Sequence, residues 1–149
     1  KDHILFITDR KKEMFKTSGG KYVAHQVIEN LAKASHFIEQ IMVVGDGEKM
    51  PTALVQPDFE YAKKWASKNK INIGTTPQDI ANCKQLKDEI QKEIEKINAH
   101  LGKWEQVKKI ELTPEIWTEN NGLLTPTLKL KRKVVKERFI KLYEKLYDR

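Results

Sequence analysis

The sequence predicts an α+β fold in which a small mixed β-sheet is flanked by helices. Short runs rich in Val, Ile and Phe alternate irregularly with stretches whose apolar residues recur every three or four positions. The chain has 149 residues, of which 39% are hydrophobic and 33% charged, so one core fits beneath a charged surface. We therefore interpret residues 1–149 as a single domain.

Six extended runs supply the predicted sheet. They are Ile4–Thr8, Met14–Thr17, Tyr22–Val23, Phe37–Val44, Thr52–Val55 and Val107–Leu112. The fourth run ends at Gly45-Asp46-Gly47 and the fifth stops at Pro57, which predicts a hairpin through the buried centre of the domain. A further turn is predicted at Ser18-Gly19-Gly20-Lys21, because adjacent glycines allow positive φ without a Cβ clash.

Helical patterns fill most of the remaining chain. Helices are predicted over His25–Ser35, after a capping Asp58, from Pro77 up to Gly102, and over roughly Arg132–Tyr147. The predicted buried side of the first helix consists of Val27, Ile28, Leu31 and Ala34, and that of the last of Val135, Phe139, Leu142 and Leu146. The longest apolar stripe is Leu86, Ile90, Ile94, Ile97 and Leu101, which packs on the domain's own sheet or on a partner helix.

The net charge of +7 is concentrated at the two ends of the chain. Residues 1–21 carry six basic and three acidic side chains, residues 129–149 carry nine and three, and the rest sums to −2. This distribution indicates two segments that meet anionic groups such as phosphates, although solvated helix faces give the same count. Charge alone also permits a stand-alone basic module that binds nucleic acid or an anionic membrane surface.

Neither an export signal nor a metal site is indicated by the sequence. No apolar stretch is long enough to cross a bilayer, and the polar start of the chain does not resemble a signal peptide. Cys83 is the single cysteine, so we expect a reducing, cytoplasmic location, with peripheral membrane contact left open. The four histidines have no metal-ligand spacing, and we expect the chain to hold no metal.

Two segments contain glycine or lysine residues in arrangements that could bind an anion such as phosphate. The turn at Ser18–Lys21 has flanking cations and could cradle a phosphate with backbone N–H groups, or be a plain surface turn. Further on, Lys129 and Lys131 alternate with leucines before the last helix. On an extended strand the two lysines would share one face. That face would either bind an anion or be the solvated edge of a sheet, where lysine prevents aggregation with another strand.

Together these segments resemble the motifs of adenylate-forming enzymes, the superfamily that includes acyl-CoA synthetases. The first matching run is Ile7-Thr8-Asp9-Arg10-Lys11-Lys12-Glu13-Met14-Phe15-Lys16-Thr17-Ser18-Gly19-Gly20-Lys21-Tyr22-Val23, similar to the hinge and glycine loop. The second is Asn121-Gly122-Leu123-Leu124-Thr125-Pro126-Thr127-Leu128-Lys129-Leu130-Lys131-Arg132, similar to the C-terminal lysine motif of long-chain fatty acyl-CoA synthetases. The two runs bracket nearly the whole chain, so their combination is specific.

The resemblance implies a role for individual residues. Lys129 matches the catalytic lysine that reaches the substrate carboxylate and the α-phosphate during adenylation, and Arg10 matches an arginine that contacts the nucleotide ribose. Lys12 matches the hinge about which the domain rotates between the two half-reactions. The loop that lines the CoA pantetheine channel is matched by Gly19, Gly20 and Lys21.

Two departures from the family pattern stand out. His25 occupies a position that is commonly proline, just before the residues that form the first long helix. Thr127-Leu128 precedes the lysine where short-chain relatives have Ser-Gly, which favours the long-chain branch.

The resemblance therefore predicts the mobile C-terminal lid of a ligase that joins long-chain fatty acids to CoA through an acyl-adenylate, releasing AMP and pyrophosphate. Its substrates would be a fatty acid, CoA and ATP with Mg²⁺, held mainly by a large N-terminal domain that this sequence lacks. That domain would be the lid's partner. We expect the isolated lid to be inactive and not to act on nucleic acid.

Overall fold

A computed structural model describes residues 14–149 of the chain. The predicted strand Ile4–Thr8 and the candidate residues Arg10 and Lys12 lie outside the described residues. The strands are β1 (Phe15–Lys16), β2 (Tyr22–Val23), β3 (Ile38–Val44), β4 (Thr52–Pro57) and β5 (Ile110–Leu112). The helices are α1 (His25–Ala32), α2 (Phe59–Lys68), α3 (Pro77–Ala81), α4 (Lys84–Asn98), α5 (Arg132–Arg138) and α6 (Ile140–Leu146), with a 3₁₀ turn at Lys103–Glu105.

The three-stranded sheet in the order β3-β4-β5 forms the middle of the domain. Strands β3 and β4 pair antiparallel, which confirms the predicted hairpin, and β5 pairs parallel to β4, so the sheet is mixed. Every residue of the central strand β4 is buried. The predicted α+β class is confirmed, with β5 shorter than the predicted run from Val107 to Leu112.

Side chains that alternate along the sheet feed two separate apolar clusters. On one face Ile41, Val43 and Val55 pack with apolar residues of α1, α2 and α4. On the other face Met42 and Leu54 pack with Trp117 and the apolar side of α5 and α6. Successive strand residues point to opposite faces, so helices cover the sheet on both sides.

The signals at the starts of α2 and α3 are read correctly from the sequence, but the helix predicted from Pro77 up to Gly102 is divided into α3 and α4 and ends at Asn98. The Asp58 side chain accepts a hydrogen bond from the backbone N–H of Tyr61 and caps α2. Pro77 occupies the first turn of α3, whose cap is Thr76. The apolar stripe of α4 is confirmed as part of the domain's own core, with Leu86, Ile90 and Ile94 buried.

The predicted buried side of α1 is wrong. Val27 is 56% exposed and Leu31 45% exposed, whereas His25, Glu29 and Ala32 are buried together with Ile28. The helix also ends at Ala32 rather than Ser35. It is rotated relative to the hydrophobic pattern because a buried carboxylate, described below, faces the sheet.

The predicted last helix is interrupted at Phe139. Its backbone, with φ −110° and ψ 36°, separates α5 from α6. The residues predicted to face inward do so, since Val135, Phe139 and Leu146 are buried and Leu142 is half-buried. Buried residues on both sides of the break belong to the cluster that contains Met42 and Leu54 of the sheet. No helix within residues 14–149 is both long enough and apolar enough to cross a membrane.

Candidate functional site

Lys129 ends a closed turn rather than lying on an extended strand, which corrects the prediction for this segment. The backbone N–H of Thr125 donates to the Lys129 carbonyl at 2.8 Å, and the Thr125 hydroxyl accepts from the Lys129 N–H at 3.0 Å. Leu128 adopts a left-handed φ of 64°. A tight turn of this kind breaks the alternation of side chains that an extended strand requires.

The turn is fastened to the body of the domain at its base. Leu124 and Leu130 form an isolated antiparallel bridge, and the Lys131 N–H donates to the Leu123 carbonyl at 2.9 Å. Leu123 and Leu124 are buried in the cluster that contains Trp117. The backbone around Lys129 is therefore well fixed although the residue itself is exposed.

The ammonium group of Lys129 has no acidic partner among residues 14–149. The residue lines a cleft of about 280 Å³ together with Gln26, Glu29, Asn30, Lys33, Ile41, Leu128, Leu130 and Arg132. Lys131 does not line this cleft. A fixed backbone carrying an unpaired cation at a cleft can offer that charge to an anionic ligand.

An ion pair between the buried Glu29 and the partly exposed Arg132 forms one wall of the same cleft. The Glu29 carboxylate is only 5% exposed, and Arg132 donates to both of its oxygens, from Nη1 at 2.9 Å and from Nη2 at 2.6 Å. The backbone N–H of Val43 donates a third hydrogen bond at 2.8 Å. Burial raises the pKa of Glu29, while its hydrogen bonds and the charge of Arg132 oppose that rise.

Sequence reasoning missed the ion pair between Glu29 and Arg132. The available signal was an acidic residue on the side of α1 that also holds Ile28 and Ala32, because a carboxylate buried there needs a cationic partner. The sequence did not identify which of the 28 basic residues supplies that partner, since Arg132 lies 103 positions away.

The predicted glycine turn is confirmed as the connection between β1 and β2. Gly20 adopts φ +83° and donates its N–H to the Thr17 carbonyl at 2.9 Å. The hairpin is attached to the neighbouring β3–β4 turn, because Ser18 donates to the Glu48 carbonyl and Gly47 to the Lys16 carbonyl, both at 2.9 Å. Its tip residues are exposed, so a ligand has access to them.

Lys21 lies at the end of this turn and contacts an aromatic ring. Its Nζ is 5.5 Å from the centroid of Trp104, which belongs to the 3₁₀ turn and is 49% exposed. A lysine over an indole face is held by a modest cation–π attraction.

The structure does not bring the predicted site residues together in one place. None of the three main clefts among residues 14–149 is lined by both Lys129 and the glycine turn, and no hydrogen bond within that part of the chain joins them.

His25 occupies the first position of α1, where proline is often favoured. It is buried, and its ring stacks on Phe15 with the centroids 5.5 Å apart. Nδ1 has no hydrogen-bond partner within residues 14–149. Burial, helped by the positive charge of Arg132, lowers the pKa of His25 to about 4, so the imidazole is neutral at pH 7.

We expect His25 to make the domain sensitive to acid. In the unfolded chain the imidazole takes up a proton near its ordinary pKa of 6.5, but in the folded domain only near pH 4. Protonation therefore favours unfolding as the pH falls through this window. Urea unfolding at several pH values should show a smaller loss of stability between pH 6.5 and 4 for His25→Gln than for the wild type. Equal slopes would contradict this account, and His36→Gln, on an exposed histidine, is the matched control.

Comparisons with known proteins agree with the resemblance noted from the motifs. The profile of the family described as "AMP-binding enzyme C-terminal domain" matches residues 11–149. The chain is 38% identical over 148 residues to the long-chain-fatty-acid–CoA ligase FadD15 of Mycobacterium tuberculosis, covering 99% of this chain and 25% of that protein. It is 40% identical over 147 residues to human long-chain-fatty-acid–CoA ligase 6, covering 97% and 21%.

Among solved structures, the adenylation domain of a carboxylate reductase from Mycobacterium chelonae superposes with a TM-score of 0.74 at 25% identity. The match covers 94% of this chain and 20% of that one. The chain thus spans about a quarter or less of the length of these relatives. The comparisons give no support to a stand-alone basic module that binds nucleic acid or membranes.

Proposed function

Since the chain belongs to the family of AMP-binding enzyme C-terminal domains, we propose that it is the mobile lid of a long-chain fatty acid–CoA ligase. In this scheme a large N-terminal domain holds the fatty acid and MgATP. The carboxylate attacks the α-phosphate, pyrophosphate leaves, and the CoA thiol then displaces AMP from the acyl-adenylate. The lid alone is inactive because it lacks the pocket for the acyl chain and nucleotide.

The observation that carries the proposal is the fixed backbone at Lys129 together with an ammonium group that has no acidic partner among residues 14–149. Negative charge accumulates on the phosphate oxygens as the carboxylate attacks, and a preorganised cation stabilises that charge in the transition state. Because the turn is held by its own hydrogen bonds, little ordering of the backbone remains when the lid closes. The ligase names of the two relatives supply the substrate class.

The remaining site residues receive proposed roles from their positions in the motifs. We assign Arg10 to the nucleotide ribose, Lys12 to the hinge, and the turn at Gly19, Gly20 and Lys21 to the pantetheine channel of CoA. Support for a rotating domain comes from the three main clefts among residues 14–149, none of which is lined by both Lys129 and the glycine turn. Rotation about the hinge would present each of them to the large domain in turn.

No step of the proposal passes through a metal held by the lid. Within residues 14–149 there is no cluster of three His, Cys, Asp or Glu side chains suited to a metal ion. Mg²⁺ would enter with ATP as part of the substrate on the large domain.

The direct test uses a full-length ligase, in which this chain is fused behind the large domain of a long-chain fatty acid–CoA ligase in place of that enzyme's own lid. We expect this protein to convert a long-chain fatty acid, MgATP and CoA into acyl-CoA, AMP and pyrophosphate. The isolated chain and the isolated large domain serve as controls, and neither should form acyl-CoA at a comparable rate. A folded fusion that is no faster than the large domain alone would contradict the proposal.

A further inference from the structure

The cleft beside Lys129 contains a carboxylate that could capture its ammonium group. Glu29 lines this cleft together with Lys129, and its side chain is buried. Opposite charges attract more strongly where water is largely excluded than they do in bulk solvent. A lysine held in an ion pair with Glu29 would have to break that pair before it could meet a substrate.

Arg132 and the sheet together use the hydrogen-bonding capacity of Glu29. The guanidinium group binds both carboxylate oxygens in a fork, and Val43 of β3 donates to one of them from its backbone N–H. Strand β3 is an edge of the three-stranded sheet, so Glu29 supplies a partner for that N–H group. The carboxylate is thereby held and neutralised on the wall of the cleft.

The same arginine is joined closely to the lysine through the backbone. Arg132 is the first residue of α5 and follows Lys129 by three positions. Between them, Leu130 bridges to Leu124 and Lys131 bonds to Leu123, so the segment has little freedom. Fixing the guanidinium against Glu29 therefore also restrains the base of the turn that carries Lys129.

We propose that Glu29 and Arg132 are positioning residues for adenylation, and that Arg132 keeps Lys129 available by occupying the carboxylate that would otherwise bind it. This inference rests on the proposed function of Lys129. It differs from a purely structural role for the ion pair, because the loss of Arg132 should impair adenylation and spare thioester formation, whereas a destabilised fold would impair both half-reactions.

The test compares Arg132→Gln with the double variant Glu29→Gln/Arg132→Gln in the full-length ligase. In the single variant Glu29 loses its forked ion pair. Lys33 still acts on it through its charge but forms no ion pair with it among residues 14–149, so Glu29 can capture Lys129. We expect the kcat of adenylation, followed by fatty-acid-dependent pyrophosphate release, to fall by about 10- to 100-fold. The double variant has no carboxylate to capture the lysine, and its kcat should return to within about 3-fold of the wild type. Thioester formation from supplied acyl-adenylate should change by less than about 2-fold in both.

Arg138→Gln is the matched control for this experiment. Arg138 lies on the same helix and also forms a forked ion pair, with Glu115, but it does not line the cleft of Lys129. Its loss should leave both half-reactions unchanged. Urea unfolding of each variant in the isolated chain shows whether it folds, and Arg132→Lys, which keeps a charge beside Glu29, should retain more adenylation activity than Arg132→Gln.

Two results would overturn the inference: an Arg132→Gln variant with normal adenylation, or a double variant that is as impaired as the single one. Failure of the proposed function is recognised separately, because Lys129→Ala would then leave adenylation unchanged. If Lys129→Ala abolishes adenylation while the Arg132 variants do not follow the predicted order, only the positioning role is rejected.

Discussion

Replacing Lys129 with alanine should reduce the rate of adenylation in the full-length ligase by about 100- to 1000-fold. The lysine offers an ammonium group without an acidic partner in the described part of the chain, on a turn whose backbone is already fixed. Alanine removes the charge that would stabilise the developing negative charge on the α-phosphate. The exposed side chain makes no hydrogen bond or ion pair within residues 14–149, so its removal should barely change the stability of the fold.

The two half-reactions distinguish this role from a general loss of activity. Adenylation is measured as fatty-acid-dependent pyrophosphate release, and thioester formation as the production of acyl-CoA from supplied acyl-adenylate. Lys129→Ala should impair the first reaction and spare the second, because the charge is needed only while the phosphate is attacked. A variant that loses both reactions equally would contradict the assignment.

Lys131→Ala provides the matched control. Lys131 is exposed and two positions away, and its structural contribution is a backbone hydrogen bond to Leu123 that alanine retains. Because Lys131 does not line the cleft, we expect both half-reactions to proceed normally. If both alanine variants lose adenylation to the same extent, the general basicity of the segment and not the position of Lys129 determines activity.

The parts of the fold that could be predicted are those with local causes. The glycines of the β1–β2 turn, the capping Asp58 and the apolar stripe of α4 act within a few residues of their own position. The hairpin of β3 and β4 could also be predicted from local sequence, since two apolar runs joined by a short turn have few other ways to pair. The motifs containing Lys129 and the glycine turn were also found, because each is a contiguous run.

The parts that could not be predicted depend on distant partners. Hydrophobic periodicity placed Val27 and Leu31 inside, but α1 buries Glu29 instead because Arg132, far along the chain, neutralises it. Lysines alternating with leucines indicated a strand, whereas the hydroxyl of Thr125 closes a turn at Lys129. In both cases one specific polar contact outweighs the pattern of apolar residues. The roles of Arg10 and Lys12 stay predictions, as they lie outside the described residues.

Introducing a leucine at Gly19 should block the second half-reaction and spare the first, which is the opposite of the effect at Lys129. If the glycine turn lines a narrow channel for pantetheine, a bulky side chain there stands in the path of the thiol. We expect thioester formation from acyl-adenylate to fall by about 100-fold, since small misplacements of reacting groups have effects of that size. Pyrophosphate release should stay close to the wild-type rate.

Gly19 suits this test better than its neighbour. A Cβ added at Gly19 would meet only the Thr17 hydroxyl oxygen, at 3.9 Å, and the residue does not have a left-handed φ. Gly20 has a φ of +83°, so any substitution there strains the turn. A loss of activity could then come from a distorted loop as well as from a blocked channel. The leucine at Gly19 therefore changes the space above the turn while leaving its backbone as it is.

Lys49→Leu places the same side chain on the adjacent β3–β4 turn, where the residue is exposed. This control should retain both half-reactions, because we assign no part of the CoA channel to that turn. Equal losses in the two leucine variants would show that added apolar surface, and not an obstructed channel, slows the enzyme. Normal thioester formation in Gly19→Leu would remove the glycine turn from the CoA site. Opposite effects at Lys129 and Gly19 would instead mean that one lid serves two chemical steps through two separate surfaces, as a rotating domain requires.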